Sequence, residues 1–358
     1  MNPVSNTAVS RKDGRAKVMG TATYAAEQQL PGLAYGYLVT AAIANGRIQR
    51  IDTRAAEQLP GVLAVYTHQK APKIFTPANN FVTSKIYEAR LPLSDDRIHY
   101  AGQIIGLVVA DTFERAREGA HRVQVEYAAQ TPIVDATQAT YQKAPPFFGE
   151  DLDFVASNTA SGDAAAAFAS SDTQIEATYT TMMELHAPME PHAIVAHWQS
   201  ATAVTIYEPT QWVLGSQRTY AELLGLPAEQ VRIISPYIGG GFGSKAFPWP
   251  HAILCAAAAR EVGKPLKVVL SRQQMTANSG NRSATEQVLR LGATKAGMLT
   301  AIVHEVKSQT SMVESFVESC SAITPVMYTS PNLQLKQELG AMNVPTPTFM
   351  RAPGEMPG

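Results

Sequence analysis

The feature that most restricts this chain is an apolar strand, Val231 to Ile238, feeding the loop Gly239-Gly240-Gly241-Phe242-Gly243-Ser244-Lys245, then a helical run, Pro250 to Val262, and a strand, Pro265 to Leu270. A local β–loop–α–β order calls for helices packed on a sheet and puts the glycines at a helix entrance. Adjacent glycines lack the Cβ atoms that keep a ligand off the backbone, and their N–H groups can face an anion. The loop has no Gly-Lys-Ser/Thr of a Walker loop, and Ser244 stands where the dinucleotide fingerprint needs its last glycine. A plain turn and a seat for a phosphate-bearing cofactor both fit these residues. Phe242 inside a glycine run favours the seat.

Around this run the pattern is α+β. Leu33 to Val39 and Arg47 to Asp52 read as strands joined into a hairpin by Asn45-Gly46. Arg54 to Leu59 is a short helix stopped by Pro60, and Gly61 to Thr67 and Ile104 to Ala110 are apolar strands. Asp111 is placed to cap the next helix, with Glu114 completing a capping box, before the alternating Val123, Val125 and Tyr127. Residues 1–130 thus form one mixed unit. Residues 131–172, rich in Ala, Ser, Asp and Pro and including Ala144-Pro145-Pro146, read as a connector with a helical turn or two. Residues 173–358 form a second domain, with strands near 173–181, 193–199 and 203–208 and a helix from Gln211 to Leu224 that Gly225 can end. A long hairpin, Val288 to Ala293 with Met298 to Lys307, turns at Lys295-Ala296-Gly297. The final string, Arg351 to Gly358, is loop-like and reads as the end of a truncated product or of a chain completed by another polypeptide.

A hydrophobic share of 45% against 16% charged residues supports a sizeable core. The formal charge of −1 offers no footprint for nucleic acid or an anionic membrane surface. No stretch reaches the roughly 18 to 20 apolar residues of a membrane span, and Met1 to Gly20 has no apolar signal core. Cys255 and Cys320 are the only cysteines, so an iron–sulfur cluster, which takes about four thiolates, cannot be built within the chain. Cys255, in an apolar run, reads as a buried thiol.

Glu184, His186, Glu190, His192 and His197 crowd together, and His/Glu clusters are what a metal would use. Pro188 and Pro191 break any helical register and His-Glu-x-x-His is absent, so a structural role with backbone partners ranks ahead of ligation. In Glu208-Pro209-Thr210-Gln211, Thr210 is a candidate cap and Gln211 can project into the crevice at a strand end. Arg351 and Arg282 each read either as exposed arginines or as groups facing an anion.

Gly20-Thr21-Ala22-Thr23-Tyr24, Leu59-Pro60-Gly61-Val62, Met189-Glu190-Pro191-His192, Arg232 through Gly243, and Met350-Arg351-Ala352-Pro353-Gly354-Glu355 together resemble the molybdenum-cofactor subunit of the xanthine dehydrogenase and aldehyde oxidase family. The likeness is greatest to the large subunits of bacterial periplasmic aldehyde oxidoreductases and covers about the first half of such a subunit. It implies a hammerhead-like α/β domain over 1–130 and the first part of a molybdopterin-binding α+β domain over 173–358. The implied activity is oxidation of an aldehyde to a carboxylic acid, with water as the oxygen source.

By position, the resemblance makes Gln211 the glutamine beside the molybdenum. It makes Gly240, Gly241, Phe242 and Gly243 a backbone contact to the cofactor, and puts Arg351 and Ala352 on its other side. Arg282 and Ala246 are carried over as substrate-side positions; purine-oxidising members have a glutamate where Ala246 stands, which points to an aldehyde rather than a purine. An N-heterocycle hydroxylase of the isoquinoline type, or a non-catalytic fragment that only binds subunits, are the alternatives. No residue is a direct metal ligand. The family's glutamate base lies beyond residue 358, so no carboxylate here is assigned catalysis, and the isolated chain is expected to be inactive. The implied cofactor is Mo-molybdopterin cytosine dinucleotide, or plain Mo-molybdopterin. The implied partners are a [2Fe-2S] subunit, an FAD subunit and the remaining C-terminal half, with the protein in the cytoplasm or exported alongside a signal-bearing partner.

Overall fold

A computed structural model describes residues 10–79, 84–145 and 158–358. Residues 1–9 of the lead-in, and 146–157 of the connector with Pro146, lie outside the described residues. The chain opens with α1 (Gly14–Val18), β1 (Ala34–Thr40), β2 (Gly46–Asp52), α2 (Arg54–Glu57), β3 (Val62–Thr67), β4 (Arg97–Ile98), β5 (Ile104–Ala110), α3 (Phe113–Arg122) and β6 (Gln124–Ala129). Next come β7 (Tyr141–Lys143), β8 (Thr159–Ser161), α4 (Ala164–Ala169), β9 (Thr173–Thr181), β10 (Ala193–Ser200), β11 (Ala203–Tyr207), α5 (Val213–Leu224) and β12 (Val231–Ile234). The last part holds α6 (Pro250–Val262), β13 (Leu266–Val269), α7 (Arg272–Asn278), β14 (Thr285–Ala293), β15 (Leu299–Ser311), α8 (Thr324–Met327) and β16 (Leu333–Met342).

One seven-stranded sheet, β12-β11-β10-β13-β1-β5-β3, joins strands from residues 34–110 to strands from residues 193–269. Its join is β1, which pairs parallel with β13 through Ala34–Leu266 and Gly36–Val268, and antiparallel with β5. With both edges of β1 taken, the hairpin expected at Asn45-Gly46 does not form. The chain instead crosses to a three-stranded sheet, β4-β2-β6. A turn signal reports a bend, while the choice of strand partner is made by distant segments competing for the same edge.

The other large sheet runs β7-β16-β15-β14-β9, with β8 on the far end of the β7 edge of β16. The stretch read as a connector is therefore partly built into a sheet. Its β14–β15 hairpin turns at Lys295-Ala296-Gly297 as the sequence predicts, with Gly297 at φ 83°.

Helix α6 carries the core. Every residue from Pro250 to Ala259 is buried, against β10 and β13, and full burial of a side chain such as Ile253 or Leu254 contributes about 1.5–3 kcal/mol. Pro250 starts it, where the missing N–H has no intrahelical partner to lose, and Gly263 ends it at φ 65°. Cys255 is buried here, and burial pushes its thiol pKa up, consistent with an inert side chain. At the start of α3 the cap is Thr112, whose hydroxyl accepts the Arg115 N–H, rather than Asp111, which pairs with the Arg115 guanidinium. Among the described residues no helix is long and apolar enough to cross a membrane.

Candidate cofactor-binding cleft

Strands β11 and β12 run parallel with Tyr207 beside Ile234, so the loops leaving them start side by side. Ligands gather at such carboxyl ends because exit loops converge there. The Glu208 N–H donates to the Ile234 carbonyl (3.3 Å), Thr210 N–H to the Ser235 hydroxyl (3.1 Å) and Gln211 N–H to the Lys245 carbonyl (2.8 Å). Glu208 to Gln211 is thereby laid along the glycine loop. Thr210 is not the helix cap the sequence suggests: α5 begins after Trp212, and the Thr210 hydroxyl instead accepts the Trp212 N–H (3.1 Å) and meets the Ser216 hydroxyl.

Gln211 Oε1 accepts the N–H groups of Gly243 (3.0 Å) and Lys245 (3.2 Å). Two donors at one end of the carboxamide identify that end as oxygen and leave the NH2 to face a ligand. The N–H groups of Gly240, Gly241 and Phe242 find no acceptor among the described residues. Phe242 sits at φ 54°, a left-handed conformation costing a non-glycine residue about 1–2 kcal/mol, and is 47% exposed. At Gly243, φ is 109° and a Cβ would overlap the Phe349 carbonyl, so only glycine fits. The loop does not open α6, contrary to the sequence reading. Trp249 is the N-cap, and turns such as Ser244 N–H to Gly241 O and Ala246 N–H to Gly243 O intervene. The donor array thus belongs to the loop itself, as in backbone nests that bind anions.

A second wall follows β16. The Arg351 N–H donates to the Phe242 carbonyl at 2.9 Å, and Ala352 adopts φ 56°. Gln211, Gly240, Gly241, Phe242, Gly243, Phe349 and the exposed Arg351 line an open cleft of about 570 Å³, with no carboxylate among its lining residues. A larger hollow of about 680 Å³ beside Tyr37, His121 and Gln273 lies away from these loops.

Two candidates fall elsewhere. Arg282, carried over as a substrate-side position, is 2% exposed and donates to the carbonyls of Arg351 (2.6 Å) and Ala352 (3.5 Å) while pairing with Glu318 (3.1 Å). It lies beneath the arginine loop, because a buried guanidinium has to spend its donors on carbonyls and a carboxylate. Ala246 also lies off the cleft, against Tyr87, Phe247 and Trp249.

The His/Glu cluster supports both walls. His186 Nε2 meets the Phe349 carbonyl at 2.6 Å and His192 Nε2 the Ser244 carbonyl at 3.1 Å; burial holds both rings below the usual histidine pKa. Glu190 Oε2 accepts the Gly239 N–H (2.7 Å) and the buried Lys245 ammonium (2.9 Å). His197 lies apart, on β10, beside Gln199. Among the described residues no group of three such side chains could hold a metal ion.

Tyr87 is a part of the site that sequence reasoning missed. Its hydroxyl donates to the Gly243 carbonyl and accepts the Ala246 N–H (3.2 Å), and its ring stacks on Trp249 at 4.1 Å. The available signal was the long interval between β3 and β4, a length that in a compact fold usually serves a site.

Residues 148–358 match the molybdopterin cofactor-binding domain, and residues 19–131 match the aldehyde oxidase and xanthine dehydrogenase a/b hammerhead domain. The chain belongs to the xanthine dehydrogenase and aldehyde oxidase family of molybdopterin-cofactor proteins. It is 40% identical over 367 residues to the aldehyde oxidoreductase molybdenum-binding subunit PaoC of Escherichia coli (strain K12), covering 100% of this chain and 48% of that one. The nicotinate dehydrogenase large molybdopterin subunit of Eubacterium barkeri is 30% identical over 304 residues, 85% of this chain and 70% of its own length. Among solved structures, the aldehyde oxidoreductase of Desulfovibrio gigas superposes with a TM-score of 0.79 at 25% identity, over 96% of this chain and 39% of that one. The chain thus spans about half the length of its Escherichia coli relative. Family membership agrees with the α+β architecture of a hammerhead unit followed by a cofactor-binding domain.

Proposed function

We propose that this chain supplies the first half of the molybdenum-cofactor site of an aldehyde-oxidising hydroxylase, which makes carboxylic acids with oxygen taken from water. One observation carries the reading: the Arg351 N–H bonded to the Phe242 carbonyl, beside a Gln211 amide whose oxygen is already engaged, brings three distant segments to one cleft. Three N–H groups without an acceptor among the described residues, one carboxamide NH2 and one guanidinium, with no carboxylate lining, fit an anionic, oxygen-rich group such as a pterin phosphate with its molybdenum oxygens.

When bound, that group supplies a Lewis-acidic centre able to take two electrons. The N–H groups of Gly240, Gly241 and Phe242 would orient it, and the Gln211 NH2 would donate a hydrogen bond to it. Arg351 offsets negative charge from the opposite wall, and the Phe242 ring shields part of the cleft from water. His186 and His192 stay neutral beneath the loops and keep their donors on the backbone. Since preorganised donors need no rearrangement when charge develops, the cost of shaping the cleft is met at folding.

The cytosine dinucleotide form of the cofactor and partner subunits carrying [2Fe-2S] clusters and FAD belong to the same proposal, as does export alongside a signal-bearing partner. Two buried cysteines leave no route for electrons through an iron–sulfur cluster of this chain. The nicotinate dehydrogenase relative favours a second reading, an N-heterocycle as substrate. Metal analysis of the purified holoenzyme with a substrate panel tests both. Stoichiometric molybdenum and faster turnover of aromatic aldehydes than of xanthine or nicotinate are expected. Absence of molybdenum overturns the first reading, and preference for a heterocycle replaces the aldehyde.

A further inference from the structure

The segment from Glu184 to Glu190 touches both walls of the cleft through separate side chains. At its start, Glu184 and Arg282 form an isolated antiparallel bridge (Arg282 N–H to Glu184 O, 2.9 Å), and their side chains approach to 3.5 Å. Arg282 is the residue that holds the carbonyls of Arg351 and Ala352. In the middle, His186 Nε2 meets the Phe349 carbonyl. With the ring neutral, the nitrogen facing that carbonyl has to carry the proton it donates.

At its end, Glu190 is joined to the glycine loop by four hydrogen bonds. Its N–H donates to the Gly239 carbonyl (3.0 Å), its carboxylate accepts the Gly239 N–H, and its carbonyl and carboxylate both accept from Lys245 Nζ. A Cβ on Gly239 would press into the Glu190 side chain, so the segment lies hard against the loop. Arg272 grips the segment from outside by the carbonyls of Pro188 and Met189.

We propose that Glu184–Glu190 is a strap that sets the spacing between the glycine wall and the arginine wall, with His186 and Glu190 as its positioning residues. Each wall is anchored to the strap by groups at least nine-tenths buried: His186 is 8% exposed, Glu190 9%, Lys245 3% and Arg282 2%. Bonds in such surroundings resist exchange with water and transmit position stiffly. Among the described residues, one backbone hydrogen bond joins the walls beside the cleft, Arg351 to Phe242, next to the close approach of Gly243 to Phe349. His186 and Glu190 of the His/Glu cluster thus find their use in registering two loops far apart in sequence. That the strap governs cofactor retention rests on the function proposed above.

The test compares His186→Phe, which removes the donor but keeps a ring, with His186→Gln, which restores an N–H donor. Glu190→Gln is paired with the double variant Glu190→Gln/Lys245→Met, which leaves no buried ammonium without its carboxylate. Leu254→Ala, a cavity in α6, is the control for destabilisation alone. Hydrogen exchange followed by mass spectrometry on metal-free protein reads peptides spanning 239–245 and 349–354. Molybdenum content against time after gel filtration reads release from the holoenzyme.

His186→Phe should speed exchange in both peptides and speed release by about tenfold, the equivalent of one net hydrogen bond, whereas His186→Gln should keep both near wild-type values. Leu254→Ala should lower the melting temperature and leave both readouts at wild-type values. The strap is refuted if His186→Phe and the double variant exchange and release like wild type, or if Leu254→Ala reproduces their effect. If wild-type protein holds no molybdenum while the exchange pattern appears as stated, the strap stands and the cofactor reading falls.

Discussion

Replacing Gln211 by Glu and, separately, by Ala takes apart the two ends of its carboxamide. The Oε1 end accepts from Gly243 at 3.0 Å and Lys245 at 3.2 Å, and both bonds hold the glycine loop whether or not a ligand is present. Ala removes them. At about 0.5–1.5 kcal/mol net per bond the loss is about 1–3 kcal/mol, on the order of 5 °C in melting temperature. Glu keeps an acceptor in the same place, so the metal-free protein should melt within about 1 °C of wild type. The NH2 end is lost in both variants, and Glu adds negative charge to a cleft lined by no carboxylate. A missing hydrogen bond to a charged group is worth about 1.5–3 kcal/mol, or about 10- to 100-fold in cofactor affinity. Scanning calorimetry of the metal-free forms and molybdenum per protein after dialysis give the two readouts. If Ala and Glu lower the melting temperature alike, Oε1 is not the anchor. If the Glu variant retains molybdenum like wild type, the NH2 is not a donor to the cofactor.

Two further outcomes follow from the geometry. Gly243→Ala forces a Cβ against the Phe349 carbonyl at φ 109° and should lose about 2 kcal/mol or more in urea denaturation; an unchanged midpoint would contradict the close contact between the walls. Burial raises the Glu208 carboxyl to about 7, against an ordinary value of 4.5, with the Tyr220 hydroxyl at 2.9 Å. Between those values the folded chain holds a proton that the unfolded chain has released, so this contribution is full below pH 4.5 and is lost as pH rises through 7. The loss amounts to about 3 kcal/mol, and Glu208→Gln should abolish it. Comparing wild type with variant at each pH cancels His251, whose burial-lowered value of about 3 acts in the opposite sense, removing stability as pH falls below 6.5. An identical pH slope in the two proteins would place the effect elsewhere.

Much of the site was legible because its ingredients are local. Glycines around Phe242 announce a backbone open to a ligand, and Gln211 at the end of an apolar strand announces a side chain at a crevice. The roles of Arg282, Glu190 and His186 were not legible. Each is defined by a carbonyl, N–H or ammonium group tens of residues away, and nothing in their own neighbourhood says which group that is.

The sequence alone determined where α5 and α6 end, because Gly225 and Gly263 can take the left-handed conformation without strain, and where the β14–β15 hairpin turns. These are decisions made within a few residues by backbone sterics and apolar periodicity. Tertiary structure decided that β1 joins β13 and β5 instead of folding onto β2, and that Arg282 supports the arginine loop from below. It also decided which distant backbone groups His186 and Glu190 bond, the Phe349 carbonyl and the Gly239 N–H. Edge pairing and the burial of charge are contests among segments distant in sequence, and they are settled only when the whole chain has packed.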